Sequence, residues 1–253
     1  MTATSNASLF LSPRVSPQER MRLFCFPNAG GGVATLYSWL RGLPQQIQLC
    51  PIQLPGRENR RQEPPYTRIE PLVATLLNVL QPYTDLPFAF YGHSLGSLVA
   101  FELARALRAR GLPGPFHLIV SARSGPQIAM PGPTISHLPE PQFIAEISAR
   151  YKAIPAQVLG DRDLMELIMP ALRADMEMVE TYRFIAGDPL DCPVSALGGA
   201  DDLLVSPPDL DSWRHHTTAA FAMRMFPGDH FFPRSGQAEF TGVISQILLN
   251  SLR

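Results

Sequence analysis

The sequence predicts an α/β fold in which a mostly parallel central sheet is flanked by helices. Short, continuously apolar runs alternate along the chain with longer segments of helical periodicity. Strands that are apolar on both sides are typical of a parallel sheet that is covered on both faces. The chain has 253 residues, of which 45% are hydrophobic, so it can bury a substantial core. We therefore predict one domain over residues 1–253.

Six apolar runs are predicted to form the strands, because each is short and apolar throughout. They are MRLFCFP from Met21, IQLCPIQLP from Ile47, PFAFYG from Pro87, FHLIVSAR from Phe116, CPVSALGG from Cys192 and FAMRMFPG from Phe221. Proline lacks the N–H that a sheet ladder needs, so Pro51 weakens the second of these predictions.

Helical periodicity marks the segments between several of the strands. The predicted helices are IEPLVATLLNVLQPY from Ile69, SLGSLVAFELARALRARG from Ser94, which closes at Gly111, and GQAEFTGVISQILLNSL from Gly236. From residue 134 to residue 186 there is no strand signal, and EPQFIAEISARY and LMELIMPALRADMEMVETYRF have amphipathic helical patterns. This segment is either a pair of crossover helices or an insertion that lies over the sheet. We favour the insertion, because roughly fifty residues is long for a single crossover.

The charge balance and the cysteines restrict the partners and the compartment. With 21 basic and 22 acidic side chains the formal net charge is -1, which gives no support for nucleic acid or an anionic membrane as a partner. Cys25, Cys50 and Cys192 are odd in number and far apart, so reduced structural thiols are expected. Residues 1–20 do not resemble a secretory signal, and no apolar run is long enough to span a bilayer. The sequence thus predicts a cytoplasmic protein, expected to be a monomer without a metal or other cofactor.

The pentapeptide Gly92-His93-Ser94-Leu95-Gly96 follows a predicted strand and opens a predicted helix. In that context Gly-x-Ser-x-Gly is typical of a nucleophile elbow, a tight turn that lifts the serine hydroxyl above the carboxyl edge of the sheet. Glycines are needed there because side chains would collide with neighbouring backbone. The alternative is a plain serine cap between two glycines. A catalytic serine also needs a base and a carboxylate that orients the base.

Six histidines are available to act as the base. His230 is favoured, because FPGDHFF places it in a loop directly after a predicted strand and before the last helix. The others lie beside the serine, at a strand start, in the presumed insertion, and as the adjacent pair His215 and His216. That pair would suit a metal, but no third ligand lies at a useful spacing.

Two carboxylates compete to orient the histidine, since the strand CPVSALGG ends in Gly-Gly-Ala-Asp-Asp. Asp201 fits the common loop pattern Gly-x-x-Asp-x-x-x-Val and is favoured over the adjacent Asp202. The chain order Ser94, Asp201, His230 is that of α/β-hydrolases. The sequence therefore predicts this fold and a serine-hydrolase mechanism.

Two backbone N–H groups are expected to stabilise the oxyanion of the tetrahedral intermediate. One belongs to Leu95, the residue after the serine. The other should come from the glycine-rich loop FPNAGGG after the first strand, where Ala29 is favoured and Gly30 is the alternative. An ordinary flexible turn is the competing interpretation of this loop.

From about Met21 to its C-terminus the chain resembles the type II thioesterases of polyketide synthases and nonribosomal peptide synthetases. The resemblance is carried by FCFPNAGGG, QLPGRENR, YGHSLGSLVAFELAR, HLPEPQFIAEI, LMELIMPALRADMEMVETYRF, PLDCPVSALGGADD and FPGDHFF. The segment PALRADMEMVETY is the most specific, because general esterases lack it. One departure is Asn28, where many relatives have histidine.

This resemblance implies an α/β-hydrolase fold with a helical lid, formed here by residues 134–186. It implies hydrolysis of acyl thioesters on the phosphopantetheine arm of carrier proteins, which removes aberrant or stalled acyl groups. Ser94 would be the nucleophile, His230 the base and Asp201 its partner, with the backbone of Ala29 and Leu95 as the oxyanion hole. The implied partners are acyl or peptidyl carrier proteins, bound transiently. A fatty-acyl or product-releasing thioesterase and a general cytosolic esterase are the alternative activities.

Two further sets of residues are candidates for binding substrate and carrier. The apolar faces of the presumed lid helices could line an acyl chamber or only pack on the sheet. The candidates are Phe143, Ile147, Leu164, Leu167, Ile168 and Met176. The run GRENRRQE, with Arg57, Arg60 and Arg61, could meet an acidic carrier or the phosphate of the arm, although a solvated loop is the commoner explanation.

Overall fold

A parallel sheet of six strands forms the centre of the computed structural model, which describes residues 17–151, 154 and 156–251. The strands are β1 (Met21–Phe26), β2 (Ile47–Pro51), β3 (Phe88–His93), β4 (His117–Ser121), β5 (Val194–Gly199) and β6 (Phe221–Phe226). Every neighbouring pair is parallel, which confirms the predicted α/β architecture. Pro51 is the last residue of β2 and lies on an edge strand, where the missing N–H is tolerated.

The strand order β2-β1-β3-β4-β5-β6 reverses direction beside β1. From β1 the chain moves outward to β2, returns to β3 on the other side of β1, and then continues outward to β6. Ligands of open parallel sheets bind in the crevice at the carboxyl ends of the strands where such a reversal occurs. The loop after Phe26 and the turn after His93 meet at this point, because Phe26 is in register with Gly92.

Helices connect the strands and cover both faces of the sheet. In the described part of the chain the α-helices are α1 (Ile69–Leu80), α2 (Leu95–Ala109), α3 (Glu140–Tyr151), α4 (Ala156–Leu159), α5 (Arg162–Thr181), α6 (Pro207–Asp211), α7 (Phe232–Ser235) and α8 (Gln237–Ser251). The helices predicted from Ile69, from Ser94 and at the C-terminus correspond to α1, α2 and α8. A 3-10 helix over Val33–Arg41 was not predicted.

Alternating side chains of the central strands separate the two layers of the core, as the period of two in a strand requires. Phe24 and Phe26 pack in the cluster that includes the apolar faces of α1 and α2. Leu23 and Cys25 point the other way and pack with the 3-10 helix and α8. Trp39 of the 3-10 helix ties this second layer together, because its ring packs against aromatic rings of both β3 and α8.

The segment between β4 and β5 forms a third apolar cluster, built mainly by α3 and α5. The two amphipathic helices predicted here are present. Asp161 caps α5 by accepting a hydrogen bond from the Leu164 N–H at 3.1 Å. Ala29, in the loop after β1, packs against this cluster, so the helices lie over the carboxyl edge of the sheet next to that loop.

The predictions about membrane spans and cysteines can be compared with the structure. Among the described residues, no helix combines the length and the apolar character needed to cross a membrane. The three cysteines are buried free thiols. The prediction that the N-terminus is no secretory signal concerns residues that mostly lie outside the described range.

Candidate active site

Ser94 occupies a strained turn between β3 and α2. Its φ of 53° and ψ of -112° are unusual for a residue with a side chain, and such a conformation costs on the order of 1–3 kcal/mol. A Cβ on Gly92 would lie 2.2 Å from the Gly96 carbonyl oxygen, and one on Gly96 would lie 2.1 Å from the Phe26 carbonyl oxygen. The turn therefore needs both glycines. The backbone geometry is that of a nucleophile elbow, and the Ser94 side chain makes no capping hydrogen bond to α2.

His230 lies in the loop after β6 and is held by a carboxylate. Its Nδ1 is 2.8 Å from Oδ2 of Asp202, and both side chains are buried. Oδ1 of Asp202 accepts a hydrogen bond from the Leu204 N–H at 2.9 Å, which fixes the carboxylate. Nδ1–H of His230 donates to Asp202, so Nε2 is left as the proton acceptor.

The carboxylate contact falls on Asp202 and not on Asp201, the residue favoured by the loop pattern. The side chain of Asp201 is exposed, and its N–H donates to the Gly228 carbonyl. The sequence contains two overlapping Gly-x-x-Asp patterns, one from Gly198 and one from Gly199. The second is the relevant one, because a Cβ on Gly199 would lie 2.4 Å from the Asp229 carbonyl oxygen in the histidine loop. That close approach is visible only in the structure, and the sequence pattern alone fits both Asp201 and Asp202.

The loop after β1 offers two candidate N–H groups for an oxyanion, those of Ala29 and Gly30, and only one of these two is already bonded. The Gly30 N–H donates to Asp175 Oδ2 at 2.7 Å, and the Gly31 N–H donates to the Asn28 carbonyl at 2.8 Å. In the described structure the N–H groups of Ala29 and Leu95 have no acceptor. This pattern favours Ala29 over the alternative Gly30, although the role of either stays a prediction. Asn28 donates its side-chain amide to the Ala29 carbonyl at 2.8 Å, which stiffens the turn.

A buried ion pair holds the loop after β1 in place. Arg57 binds both carboxylate oxygens of Asp175, at 2.6 and 2.8 Å, and also donates to the Gly31 carbonyl at 3.0 Å. The side chains of Arg57 and Asp175 are only 7% and 1% exposed. Asp175 therefore connects α5 to the loop after β1. Asp175 was not predicted as a site residue, and the available signal was an acid on the apolar side of α5, three residues after the buried Leu172.

The three arginines of the run GRENRRQE therefore do not form a docking surface together. Arg57 is buried in the pair with Asp175, and Arg60 is buried in an ion pair with Glu63 while donating to the Gln53 carbonyl. Only Arg61 has an exposed side chain. The hypothesis that these arginines meet a carrier protein is wrong for Arg57 and Arg60, because both guanidinium groups are used inside the fold.

Replacing Asp175 with asparagine is expected to lower the free energy of unfolding by roughly 3–5 kcal/mol, because it leaves Arg57 as an uncompensated buried charge. Urea unfolding measures this change. Glu166→Gln is the matched control. It breaks the ion pair between Arg162 and Glu166, whose side chains are 89% and 62% exposed. The control should cost less than about 0.5 kcal/mol. Equal losses in the two variants would contradict a structural role for the buried pair.

A double variant separates stability from positioning. Arg57→Met with Asp175→Leu removes both charges and should recover much of the lost stability. It still leaves the Gly30 N–H without its carboxylate acceptor, so kcat should stay below the wild-type value. Full recovery of kcat would show that the pair does not position the loop.

Ser94 and His230 line the same small cavity at the carboxyl edge of the sheet. Its volume is about 20 Å³. That is room for about one water molecule and too little for an acyl chain. The remaining lining residues are Asn28, Ala29, Met130, Ile147, Tyr151, Leu172, Met176, Val179 and Phe231. Most of the wall opposite the serine therefore comes from α3 and α5.

The six predicted chamber residues divide into three groups. Ile147 and Met176 line the cavity. Phe143 and Ile168 pack within the third apolar cluster without reaching the cavity, and the Arg173 guanidinium lies 4.4 Å above the Phe143 ring. Leu164 and Leu167 are 40% and 48% exposed, so the structure does not bring them to the site. Four other residues of the cavity wall were not predicted, because helical periodicity identifies a buried face but not what the face contacts: Met130, Tyr151, Leu172 and Val179.

The other histidines have different surroundings. His230 is the one histidine of the described chain within ion-pair distance of a carboxylate. His93 is buried, and its Nδ1 lies 3.0 Å from Ser121 Oγ. Burial, aided by the neighbouring His230, lowers the pKa of His93 well below its usual range and keeps it neutral. Across the described residues, no three His, Cys, Asp or Glu side chains converge as a metal site.

The chain is similar to known proteins in sequence and in fold. A family model described as a thioesterase domain matches residues 21–248. The chain is 41% identical over 223 residues to the gramicidin S biosynthesis protein GrsT of Aneurinibacillus migulanus, covering 88% of this chain and 87% of that protein.

Two solved structures are similar over almost the whole chain. The type II thioesterase BorB from the borrelidin biosynthetic cluster is 31% identical with a TM-score of 0.83, and the match covers 97% of both chains. ClbQ from the colibactin NRPS/PKS pathway is 30% identical with a TM-score of 0.86, and the match covers 92% of this chain and 98% of that one.

Proposed function

Since the chain belongs to the thioesterase family and is a serine hydrolase of thioester bonds, we propose that it acts on acyl groups held by carrier proteins. The substrate would be an acyl thioester on the phosphopantetheine arm of a carrier in polyketide or nonribosomal peptide synthesis. Its role would be editing, the removal of aberrant or stalled acyl groups. The printed roles of the relatives in antibiotic and NRPS/PKS biosynthesis support this context.

The observation that carries the proposed mechanism is the shared cavity of Ser94 and the His230–Asp202 pair. Nε2 of His230 takes the proton of the Ser94 hydroxyl as its oxygen attacks the thioester carbonyl. Asp202 holds the histidine in the required tautomer and stabilises the imidazolium. The N–H groups of Ala29 and Leu95 then stabilise the oxyanion of the tetrahedral intermediate.

The second half of the reaction uses the same groups. Collapse of the intermediate expels the pantetheine thiolate, which takes the proton from His230. His230 next removes a proton from water, and the hydroxide attacks the acyl-Ser94 ester. Collapse of this second intermediate returns the proton to Ser94 and releases the carboxylic acid. A thiolate leaves readily, so stabilising the oxyanion matters more than protonating the leaving group.

Residues 134–186 act as a lid in this proposal. Their helices supply Ile147, Tyr151, Leu172 and Met176 to the cavity wall. With a volume of about 20 Å³ the cavity cannot hold an acyl group, so the wall must move before the substrate enters. The closed wall would exclude bulk water from the acyl-enzyme.

The test is mass spectrometry of a panel of acyl carrier proteins incubated with the protein or with Ser94→Ala. The wild type should release short acyl groups, and the variant should leave them attached. Loss of long-chain fatty acyl groups alone would favour a fatty-acyl thioesterase. Hydrolysis of simple oxygen esters with no loss from any carrier would overturn the proposal in favour of a general esterase.

A further inference from the structure

Arg123, two residues beyond β4, is a buried cation without an anionic partner. Its side chain is only 5% exposed, and its Nε has no hydrogen-bond partner. Within the described chain its guanidinium makes no ion pair. Among the described residues the two other buried arginines, Arg57 and Arg60, each bind a carboxylate. A buried charge is normally paired, so the isolated Arg123 points to an anion that comes from outside the chain.

Arg123 lines a large cavity that adjoins the cavity of Ser94. Its volume is about 440 Å³, which is within the range of small-molecule sites. It is lined by the loop after β4, by residues of α3 and α5, and by residues 182–184 directly after α5. Met130, Tyr151 and Val179 line both cavities and form the partition between them. Methionine adapts its shape easily, so a small shift of Met130 would join the two spaces.

The lining of this cavity is complementary to a single negative charge. Tyr151 and Tyr182 line the cavity together with Arg123. The Tyr182 hydroxyl donates a hydrogen bond to Glu102. In the described structure the Tyr151 hydroxyl contacts only the weak acceptor Met130 Sδ, at 3.8 Å. Burial lowers the pKa of Arg123 to about 10, which still leaves it positively charged near neutral pH.

The other charged side chains that line the cavity have hydrogen-bond or ion-pair partners within the protein. Arg150 pairs with Glu146, and Arg183 donates to backbone carbonyls. The carboxylate of Glu180 accepts from the N–H groups of Ile135 and Ser136 and from the Ser136 hydroxyl. Glu180 is therefore occupied, and Arg123 remains available to a ligand.

Resting on the proposed function, we propose that Arg123 and Tyr151 bind a carboxylate at the free end of an acyl group whose thioester lies at Ser94. The substrates would then include carboxyacyl thioesters. A planar guanidinium matches a carboxylate with two parallel hydrogen bonds, and Tyr151 can add a third. The alternative anion is the phosphate of the pantetheine arm. That phosphate lies at the opposite end of the arm from the thioester, whereas the acyl group begins at Ser94, whose cavity shares a partition with this one.

The test compares matched thioesters of the same chain length on pantetheine. Malonyl, glutaryl and adipyl groups are paired with propionyl, pentanoyl and hexanoyl groups. The measured quantity is the ratio of kcat/KM for the carboxyacyl thioester to that for its neutral partner. Arg123→Met should lower this ratio by roughly tenfold to a hundredfold for at least one chain length. Arg123→Lys, which keeps the charge but loses the planar fork, should lower it less.

Arg110→Met is the control, because it removes an exposed positive charge outside the cavity. It should leave the ratio unchanged. An equal effect of the two methionine variants, or no effect of either, overturns the proposal. A second arm repeats the neutral substrates on phosphopantetheine and pantetheine. If sensitivity to Arg123→Met follows the phosphate and not the acyl carboxylate, the anion is the arm's phosphate and the proposal fails.

A measurement on the wild-type enzyme covers the case in which Arg123→Met does not fold. Glutarate should inhibit hydrolysis of the pentanoyl thioester competitively, and neutral glutaramide should not. Equal inhibition by both compounds, or by neither, overturns the proposal. Hydrolysis of the neutral thioesters tests the thioesterase activity itself. Failure of the carboxylate preference is thereby distinguished from failure of the proposed function.

Discussion

Replacing Ser94 with alanine is expected to lower kcat for hydrolysis of an acyl-pantetheine by roughly 10⁶-fold, because the acyl-enzyme can no longer form. The N–H groups of Ala29 and Leu95 would remain, so a small residual rate above that in water should persist. The fold should survive, since the Ser94 side chain makes no capping hydrogen bond. Steady-state kinetics with a pantetheine thioester measures the loss, and thermal unfolding verifies the fold.

Ser38→Ala is the matched control for this prediction. Ser38 is an exposed serine whose hydroxyl donates to the Thr35 carbonyl at 3.2 Å, and it lies outside the cavity of Ser94. Its removal should leave kcat within about twofold of wild type. Labelling by a fluorophosphonate should modify the wild type and Ser38→Ala but not Ser94→Ala. Substantial hydrolysis by a folded Ser94→Ala protein would remove the serine from the mechanism.

The strands and long helices could be predicted because their signals are local. An apolar run such as that of β1 already contains the side chains for both faces of a covered sheet. The 3-10 helix over Val33–Arg41 has no such signal, since it begins directly after three glycines. Its burial depends on Trp39 packing against Tyr91 and Phe240, which lie far away in the sequence. Tertiary contacts of this kind decide the structure where local preference is weak.

The residues of the candidate site likewise divide into those with a local sequence signal and those without one. Ser94 and His230 could be identified because each lies at the end of a strand, where the parallel topology brings loops together. Arg57 was interpreted as a surface charge because its partner, Asp175, is 118 residues further along the chain. Arg123 gave no signal at all, since an unpaired cation is recognised only when its surroundings are known. Sequence pattern therefore indicates positions along elements, while charge pairing requires the fold.

Replacing Asp202 with asparagine is expected to lower kcat by roughly 10⁴-fold, the second largest effect among these predictions. The Asp202 side chain is completely buried between His230 and the Leu204 N–H. In the variant the amide oxygen would continue to accept from the Leu204 N–H, so the amide NH₂ would face Nδ1 of His230. Nδ1 would then have to accept a hydrogen bond, and the ring proton would move to Nε2. The histidine could no longer remove the proton of Ser94.

Asp201→Asn supplies the decisive comparison, because it removes the same charge from the adjacent residue. The Asp201 side chain is exposed, and its contact with the histidine loop is made by its backbone N–H, which the substitution keeps. Its kcat should therefore lie within about twofold of wild type. A larger loss in Asp201→Asn than in Asp202→Asn would return the role to Asp201. Small losses in both would mean that His230 acts without a carboxylate, although Asp202 lies 2.8 Å from its Nδ1.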